Sequence, residues 1–363
     1  MKSSDNCEHS SQNFAQQLLS WFDVHGRHDL PWQQPKTPYR VWVSEIMLQQ
    51  TQVQTVIPYF ERFMQRFPRL QDLAKASQDE VLAHWSGLGY YARGRNLHKA
   101  AQILVAKHAG AFPQSYDEIV ALPGIGRSTA SAILSIAFGQ NHAILDGNVK
   151  RVLSRYDAIE TWTGEKQTEQ ALWKRAQTLM DTPRAGDYTQ AIMDLGATLC
   201  TRRRPVCESC PVADGCQAYR RQAVENFPHP KPKTLKPTRQ AFVLLAFDSA
   251  QQIFLQKRPQ KGIWGGLWSL PQFETEQQLH SILRQDPSAE VDLETLPLLK
   301  HSFTHYHLEI HPRRCKTDSS SGLAGQWLSI VQALERGLPA PIRTLIEKME
   351  RNYVTKCQLH QNG

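Results

Sequence analysis

Residues 227–238 read FPHPKPKTLKPT, with four prolines and three lysines. Proline lacks an amide hydrogen and has a fixed φ, so this run fits neither a helix interior nor a central strand. A stiff, exposed linker is expected here, and it separates two textures. Upstream, from about Phe14 to Tyr219, apolar residues recur at helical spacing. Helices are predicted over 39–56 (stopped by Pro58), 80–84, 94–108, 128–137, 149–156, 168–180 and 188–199. Downstream the pattern changes to strands, at 241–247, 253–256 and 305–311, with a turn around Ser249. The expected fold is mainly α, with a helical domain over 1–226, the linker over 227–238 and a smaller α+β domain over 239–350. A flexible tail is expected over 351–363. A chain of 363 residues suits two domains.

The formal net charge of +8 favours an anionic partner. No apolar run is long enough to span a membrane, and residues 1–11 are too polar for a signal peptide. A cytoplasmic protein without a membrane partner is the expectation. The seven cysteines agree with a reducing compartment. Cys7, Cys315 and Cys357 stand alone, whereas Cys200, Cys207, Cys210 and Cys216 form C-x6-C-x2-C-x5-C. A disulfide framework would be scattered, so this cluster points to a metal site. Structural zinc favours paired C-x2-C knuckles, and only Cys207 and Cys210 make one. The spacing therefore tilts toward an iron–sulfur cluster. Arg202, Arg203 and Arg204 lie between the first two cysteines and could sit on phosphates; a solvated charge run is the plainer alternative.

Three further features carry chemistry. Leu122-Pro123-Gly124-Ile125-Gly126 precedes a helix. Two glycines around one apolar residue allow a tight hairpin, and their amides can point at a phosphate beside the helix N-terminus. This is a helix–hairpin–helix signature (122–134) that grips DNA backbone without reading sequence; an ordinary turn is its rival. Asp146, in Ile144-Leu145-Asp146-Gly147-Asn148-Val149, reads as a helix cap. A carboxylate fixed there is also well placed to face a developing cation. Glu45 lies in a strongly apolar helix beside Trp42, Ile46 and Met47. Desolvation would raise its pKa and let it carry a proton near neutrality; a partnered core Glu is the alternative.

The ordered set LPGIG, LDGN and the four cysteines resembles the endonuclease III superfamily of DNA glycosylases. The string from Glu45 to Val53 (EIMLQQTQV), with Gly87-Leu88-Gly89-Tyr90-Tyr91, narrows the resemblance to the MutY branch of adenine glycosylases. The resemblance implies two helical lobes gripping double-stranded DNA at A:8-oxoguanine or A:G mispairs, a [4Fe-4S] cluster on the four cysteines, and a flipped-out target nucleotide. By similarity Trp32, Leu48 and Gln190 line the adenine pocket, and Gln50 and Tyr90 wedge into the stack. Lyase members carry lysine in the second slot after the hairpin's last glycine; here it is Ser128, which cannot form a Schiff base. Beyond the linker, 265–273 (GGLWSLPQF) resembles the start of a MutT-like, or Nudix, domain. The acidic magnesium-binding helix of active hydrolases is replaced by Glu274-Thr275-Glu276-Gln277-Gln278-Leu279-His280. Phe303-Thr304-His305 resembles the family's Phe-Ser-His loop for 8-oxoguanine, with threonine in place of serine.

The implied mechanism gives Glu45 as general acid to adenine N7, Asp146 as the charge facing an oxocarbenium-like sugar, and Asn148 as a positioning group. Base excision repair by a monomeric, monofunctional bacterial enzyme that reaches the nucleoid through DNA is the expectation. Two alternatives stand beside it: a bifunctional glycosylase/lyase, and a non-catalytic iron–sulfur DNA-binding protein.

Overall fold

The computed structural model describes residues 5–180, 182–232, 235–284, 293–318 and 322–361. The chain divides into two compact units: Met1–Ala74 with Lys99–Lys233, and Lys75–His98 with Thr234–Gly363.

The helices begin with α1 (Asp5–His25), α2 (Pro38–Leu48), α3 (Val53–Arg66) and α4 (Leu70–Lys75). Then come α5 (Gln78–Trp85), α6 (Ala92–Lys107), α7 (Tyr116–Val120) and α8 (Arg127–Phe138). The run closes with α9 (Gly147–Tyr156), α10 (Lys166–Leu179), α11 (Ala185–Thr198) and α12 (Gln217–Arg220). The single helix predicted over 39–56 is in fact two. Thr37 caps α2 by accepting the Arg40 amide, with Pro38 at the first helical position. The helix ends before Gln50, whose φ of 57° is left-handed. Pro58 does not stop a helix but sits inside α3. The carbonyl it leaves unpaired is that of Gln54, an exposed residue that water can reach. The apolar stripes of α1, α9, α10 and α11 meet in one core, with Phe14, Leu18, Val152, Leu172 and Leu195 all buried. Burying each such side chain contributes roughly 1.5–3 kcal/mol.

The second unit is built on an eight-stranded sheet, β1 (Thr238–Phe247), β2 (Ile253–Lys257), β3 (Trp268–Ser269), β4 (Gln272–Phe273), β5 (Glu294–Thr295), β6 (Leu299–Ser302), β7 (His307–Lys316) and β8 (Gln326–Leu328). β1 and β7 run parallel, in register from Thr238↔His307 to Phe247↔Lys316, while the remaining pairs are antiparallel. After the linker the described residues add α13 (Glu276–Leu283), α14 (Ile330–Leu334) and α15 (Ala340–Gln361). The strand predicted over 305–311 starts only at His307. Phe303 to Tyr306 close the β6–β7 hairpin, with the Phe303 amide donating to the Tyr306 carbonyl at 2.9 Å.

Residues 75–98 belong to this unit although they lie far upstream in sequence. Asp79 forms an ion pair with Lys257 (2.7 Å) and accepts the Trp268 indole N–H at 3.3 Å. The Tyr91 hydroxyl donates to the Leu338 carbonyl at 3.0 Å, and Arg95 donates to the Gly265 carbonyl. Among the described residues no helix is long and apolar enough to cross a membrane.

Candidate active site

Glu45 projects from α2 between buried Trp42, Ile46 and Met47. It keeps partial exposure as a residue, yet its carboxyl is strongly desolvated. Burial, and secondarily the negative charge of Asp146, push its pKa up to about 8. Asp146 N-caps α9, its Oδ1 accepting the Val149 amide at 2.8 Å. Burial raises its pKa, opposed by the Val149 and Asn148 amides and by the charges of Arg151 and Lys150. Asp146 thus has four stabilisers of its anion and Glu45 has none, so the proton of the pair rests on Glu45. The helix cap expected at Asp146 is present, and the carboxylate it fixes lies close enough to Glu45 to raise that residue's pKa.

Asn148 is held in place by a contact the sequence reading missed. Arg151 donates from Nη2 to Asn148 Oδ1 (2.8 Å) and to the Gly196 carbonyl (2.7 Å), and from Nε to the Cys200 carbonyl (2.8 Å). Gly196 is required there, since a Cβ would lie 2.7 Å from Asn148 Cβ. The one visible sequence signal was an arginine three residues after an asparagine in a helix, which is weak. Ser128 Oγ accepts the Leu145 amide at 3.1 Å and so braces the residue preceding Asp146.

In the hairpin Gly124 has φ 79°, and Ile125 is buried between the two glycines. Gly126 caps α8 without a side-chain bond. No protein atom lies within 4 Å of the place a Gly126 Cβ would occupy. The open approach suits a phosphate reaching the first amides of α8. Trp32 is buried edge-on to Phe60, centroids 5.5 Å apart, and Leu48 is half-buried at the end of α2. Gln190, buried on α11, donates from Nε2 to Asp194 Oδ1 at 2.8 Å.

Tyr90, Phe303, Thr304 and His305 lie in the second unit. Tyr90 is half exposed at 51% with φ 48°, and its hydroxyl shares a 3.3 Å hydrogen bond with Thr304 Oγ1. Thr304 and His305 are exposed at the hairpin tip, while Phe303 is half-buried and stacks on Tyr306 at 4.8 Å.

All four clustered cysteines line one cavity, together with Val152, Leu195, Leu199 and Tyr219. Arg155, fully buried, donates to Cys200 Sγ (3.3 Å) and to the Thr201 carbonyl (2.7 Å). Burial raises the thiols of Cys207, Cys210 and Cys216, and the neighbouring cysteine charges raise them further. A bound cation would relieve both effects. Among the described residues no three ligating side chains converge as a single-ion site. Four sulfurs around a shared cavity instead fit a polynuclear cluster.

The sequence matches the HhH-GPD superfamily of base excision DNA repair proteins over residues 43–178. It matches the iron–sulfur binding domain of endonuclease III over 200–216 and a NUDIX domain over 242–348. The adenine DNA glycosylase of Buchnera aphidicola subsp. Schizaphis graminum is 37% identical, aligned over 92% of this chain and 98% of that one. The chain belongs to the adenine DNA glycosylase family. The counterpart from Buchnera aphidicola subsp. Baizongia pistaciae is 39% identical over 93% and 97% of the two chains. Among solved structures, a thermostable thymine-DNA glycosylase superposes with a TM-score of 0.54 at 26% identity, covering 61% of this chain and all of that one.

As a member of that family the chain is a DNA glycosylase with a [4Fe-4S] cluster, which Cys200, Cys207, Cys210 and Cys216 would hold. Its NUDIX-like domain carries α13 where the acidic helix of active hydrolases is expected. Glu276 on α13 is engaged by Arg313 at 2.6 Å, and Gln278 completes a capping box with Thr275.

Proposed function

We propose that this adenine DNA glycosylase hydrolyses the N-glycosidic bond of adenine paired with 8-oxoguanine or guanine, acting as a monomer and without lyase chemistry. The observation that carries the reading is the Glu45–Asp146 pair: one carboxyl holding its proton near neutrality beside one kept charged. Glu45 donates that proton to adenine N7 and makes the base a better leaving group. Asp146 then faces the oxocarbenium-like sugar. Water attacks C1′, with Glu45, now deprotonated, as its base and Asn148 positioning the reacting groups. The cluster orders the loop of Arg202, Arg203 and Arg204 and takes no part in the steps, since neither base protonation nor hydrolysis is a redox change.

Trp32, Leu48 and Gln190 enclose the flipped adenine. Gln50 and Tyr90 occupy the space it leaves in the stack. Their left-handed backbones support this role, because non-glycine residues held there cost about 1–3 kcal/mol and gather at functional sites. Phe303, Thr304 and His305 read 8-oxoguanine from the hairpin tip.

Single-turnover excision on duplexes with adenine opposite 8-oxoguanine tests the whole reading. Adenine and an abasic product that survives until alkali is added are the expected result. Prompt strand nicking at neutral pH would favour the lyase alternative, which Ser128, with no amine, cannot support. Binding without excision would favour the non-catalytic one.

A further inference from the structure

Asp194 is wholly buried on α11 and is the end-point of four hydrogen bonds. Oδ2 accepts the Arg27 backbone amide at 2.7 Å. Oδ1 accepts Arg27 Nε (2.9 Å), Arg27 Nη2 (2.5 Å) and Gln190 Nε2 (2.8 Å). Arg27 forms an ion pair with Asp194 and donates to both of its oxygens, so the carboxylate meets its neighbours as an acceptor. This fixes the Gln190 amide in one sense. Its NH2 must face Asp194, because the flipped amide would set Oε1 against Oδ1 in a buried place. Among the described residues nothing donates to Gln190 Oε1. That oxygen is not sealed in either, since Gln190 retains 6% exposure.

We propose that Asp194 and Arg27 are positioning residues that lock Gln190 as a hydrogen-bond acceptor and thereby select for a 6-amino purine. The inference rests on the reading that Gln190 lines the adenine pocket. Adenine offers its N6 amino group as a donor, whereas a 6-oxo purine offers an acceptor at the same place. A fixed acceptor attracts the first and repels the second. A freely rotating glutamine could satisfy both and would select neither. Arg27 lies just after α1, far from Asp194 in sequence, so the lock also ties the chain following α1 to the pocket wall.

The test uses full-length, cluster-loaded protein and single-turnover excision of three bases opposite 8-oxoguanine: adenine, unsubstituted purine and hypoxanthine. Asp194→Asn frees the Gln190 amide to flip. Adenine excision should fall about tenfold or more, purine excision should change less than about threefold, and the hypoxanthine-to-adenine ratio should rise. Gln190→Met keeps the buried ion pair and the side-chain volume, and should give the same pattern even where Asp194→Asn folds poorly. Equal losses on adenine and purine in Gln190→Met would assign the group a merely structural role and overturn the proposal. An unchanged adenine rate would overturn it too. Wild-type protein that leaves adenine untouched would instead overturn the underlying reading of the enzyme.

Discussion

The proposed catalytic pair and the proposed lesion-reading hairpin tip treat polar side chains in opposite ways. Glu45 and Asp146 are desolvated, and their chemistry depends on it: burial holds a proton on one, and four local stabilisers hold charge on the other. Thr304 and His305 are exposed, and the groups around them are shaped by backbone geometry. Tyr90 and Trp264 both adopt left-handed φ, 48° and 56°. Trp264 packs near Phe303 at 5.6 Å and near His301 at 5.9 Å, and burial lowers the His301 pKa. Proton transfer needs a shifted pKa, so its groups go inside. Reading a lesion needs donors and acceptors in reach of DNA, so the groups proposed for it stay outside on a stiffened turn.

The strongest way to break this contrast is at Glu45. Glu45→Gln should cut single-turnover excision by about 10²–10⁴-fold while duplex binding persists. Excision within tenfold of wild type would remove Glu45 from the role. The same variant has a stability signature. Between 4.5 and about 8 the folded protein holds a proton that the unfolded chain releases. Wild-type stability therefore falls as pH rises through that window, having been fully present below it. Glu45→Gln should raise the apparent Tm at pH 8 and leave it near wild type at pH 4. Asp146→Asn should impair excision severely as well. A well-folded Asp146→Asn protein that cleaves normally would leave Asp146 as a helix cap alone.

The wild-type pH profile sharpens the assignment. On the proposed mechanism excision needs Glu45 protonated and Asp146 ionised, which gives a bell. The basic limb should fall about tenfold per pH unit above about 8. Burial raises Asp146, so the acid limb should lie above the ordinary carboxylate range. A profile flat from pH 7 to 10 would contradict the proton-carrying role. On the exposed side, Tyr90→Gly separates strain from function. Glycine accepts φ 48° without strain, which offsets the lost Thr304 hydrogen bond and Arg93 contact, so stability should stay within about 1 kcal/mol of wild type. Excision should nonetheless drop about tenfold through loss of the wedge, by analogy with the value of base–aromatic stacking. Unaltered excision would mean that Tyr90 only shapes the turn.

Much of the helical unit was legible because local periodicity and local chemistry agree there. The strip of apolar residues around Glu45, the caps, the hairpin glycines and the cysteine spacing are all short-range signals. What could not be read has long-range causes. The break at Gln50 carries no glycine or proline, and the polar run Gln49-Gln50-Thr51-Gln52 does not by itself end a helix. Arg27 and Asp194 are 167 residues apart in sequence, so no pattern joins them. The grouping of 75–98 with the second unit depends on contacts such as Asp79 with Lys257 and Tyr91 with Leu338. Those partners are ordinary surface residues until the fold brings them together.

That grouping decides how lesion reading should be tested, and here the smallest effect is expected. Deleting everything after about Glu225 removes Thr304, but it also strips the partners of Asp79, Ser86, Tyr91 and Arg95. Truncation should therefore weaken excision opposite guanine and 8-oxoguanine alike, besides narrowing the preference between them. A point change isolates the reading. Relative to guanine, 8-oxoguanine presents an N7–H donor and an O8 acceptor. The Thr304 hydroxyl can accept from the first or donate to the second, and its bond to Tyr90 uses only part of that capacity. Thr304→Val keeps the branched shape and removes the hydroxyl. One hydrogen bond at an exposed tip contributes about 0.5–1.5 kcal/mol, so the ratio of affinities for A:8-oxoguanine and A:G duplexes should fall about two- to tenfold. Thr304→Ser, which keeps the hydroxyl and frees its rotamer, should stay within about twofold of wild type. Both must be measured at one salt concentration, since salt alone moves DNA affinity. If Thr304→Val leaves the ratio unchanged while truncation lowers it, the second unit acts by holding residues 75–98 in place, and the lesion is read elsewhere.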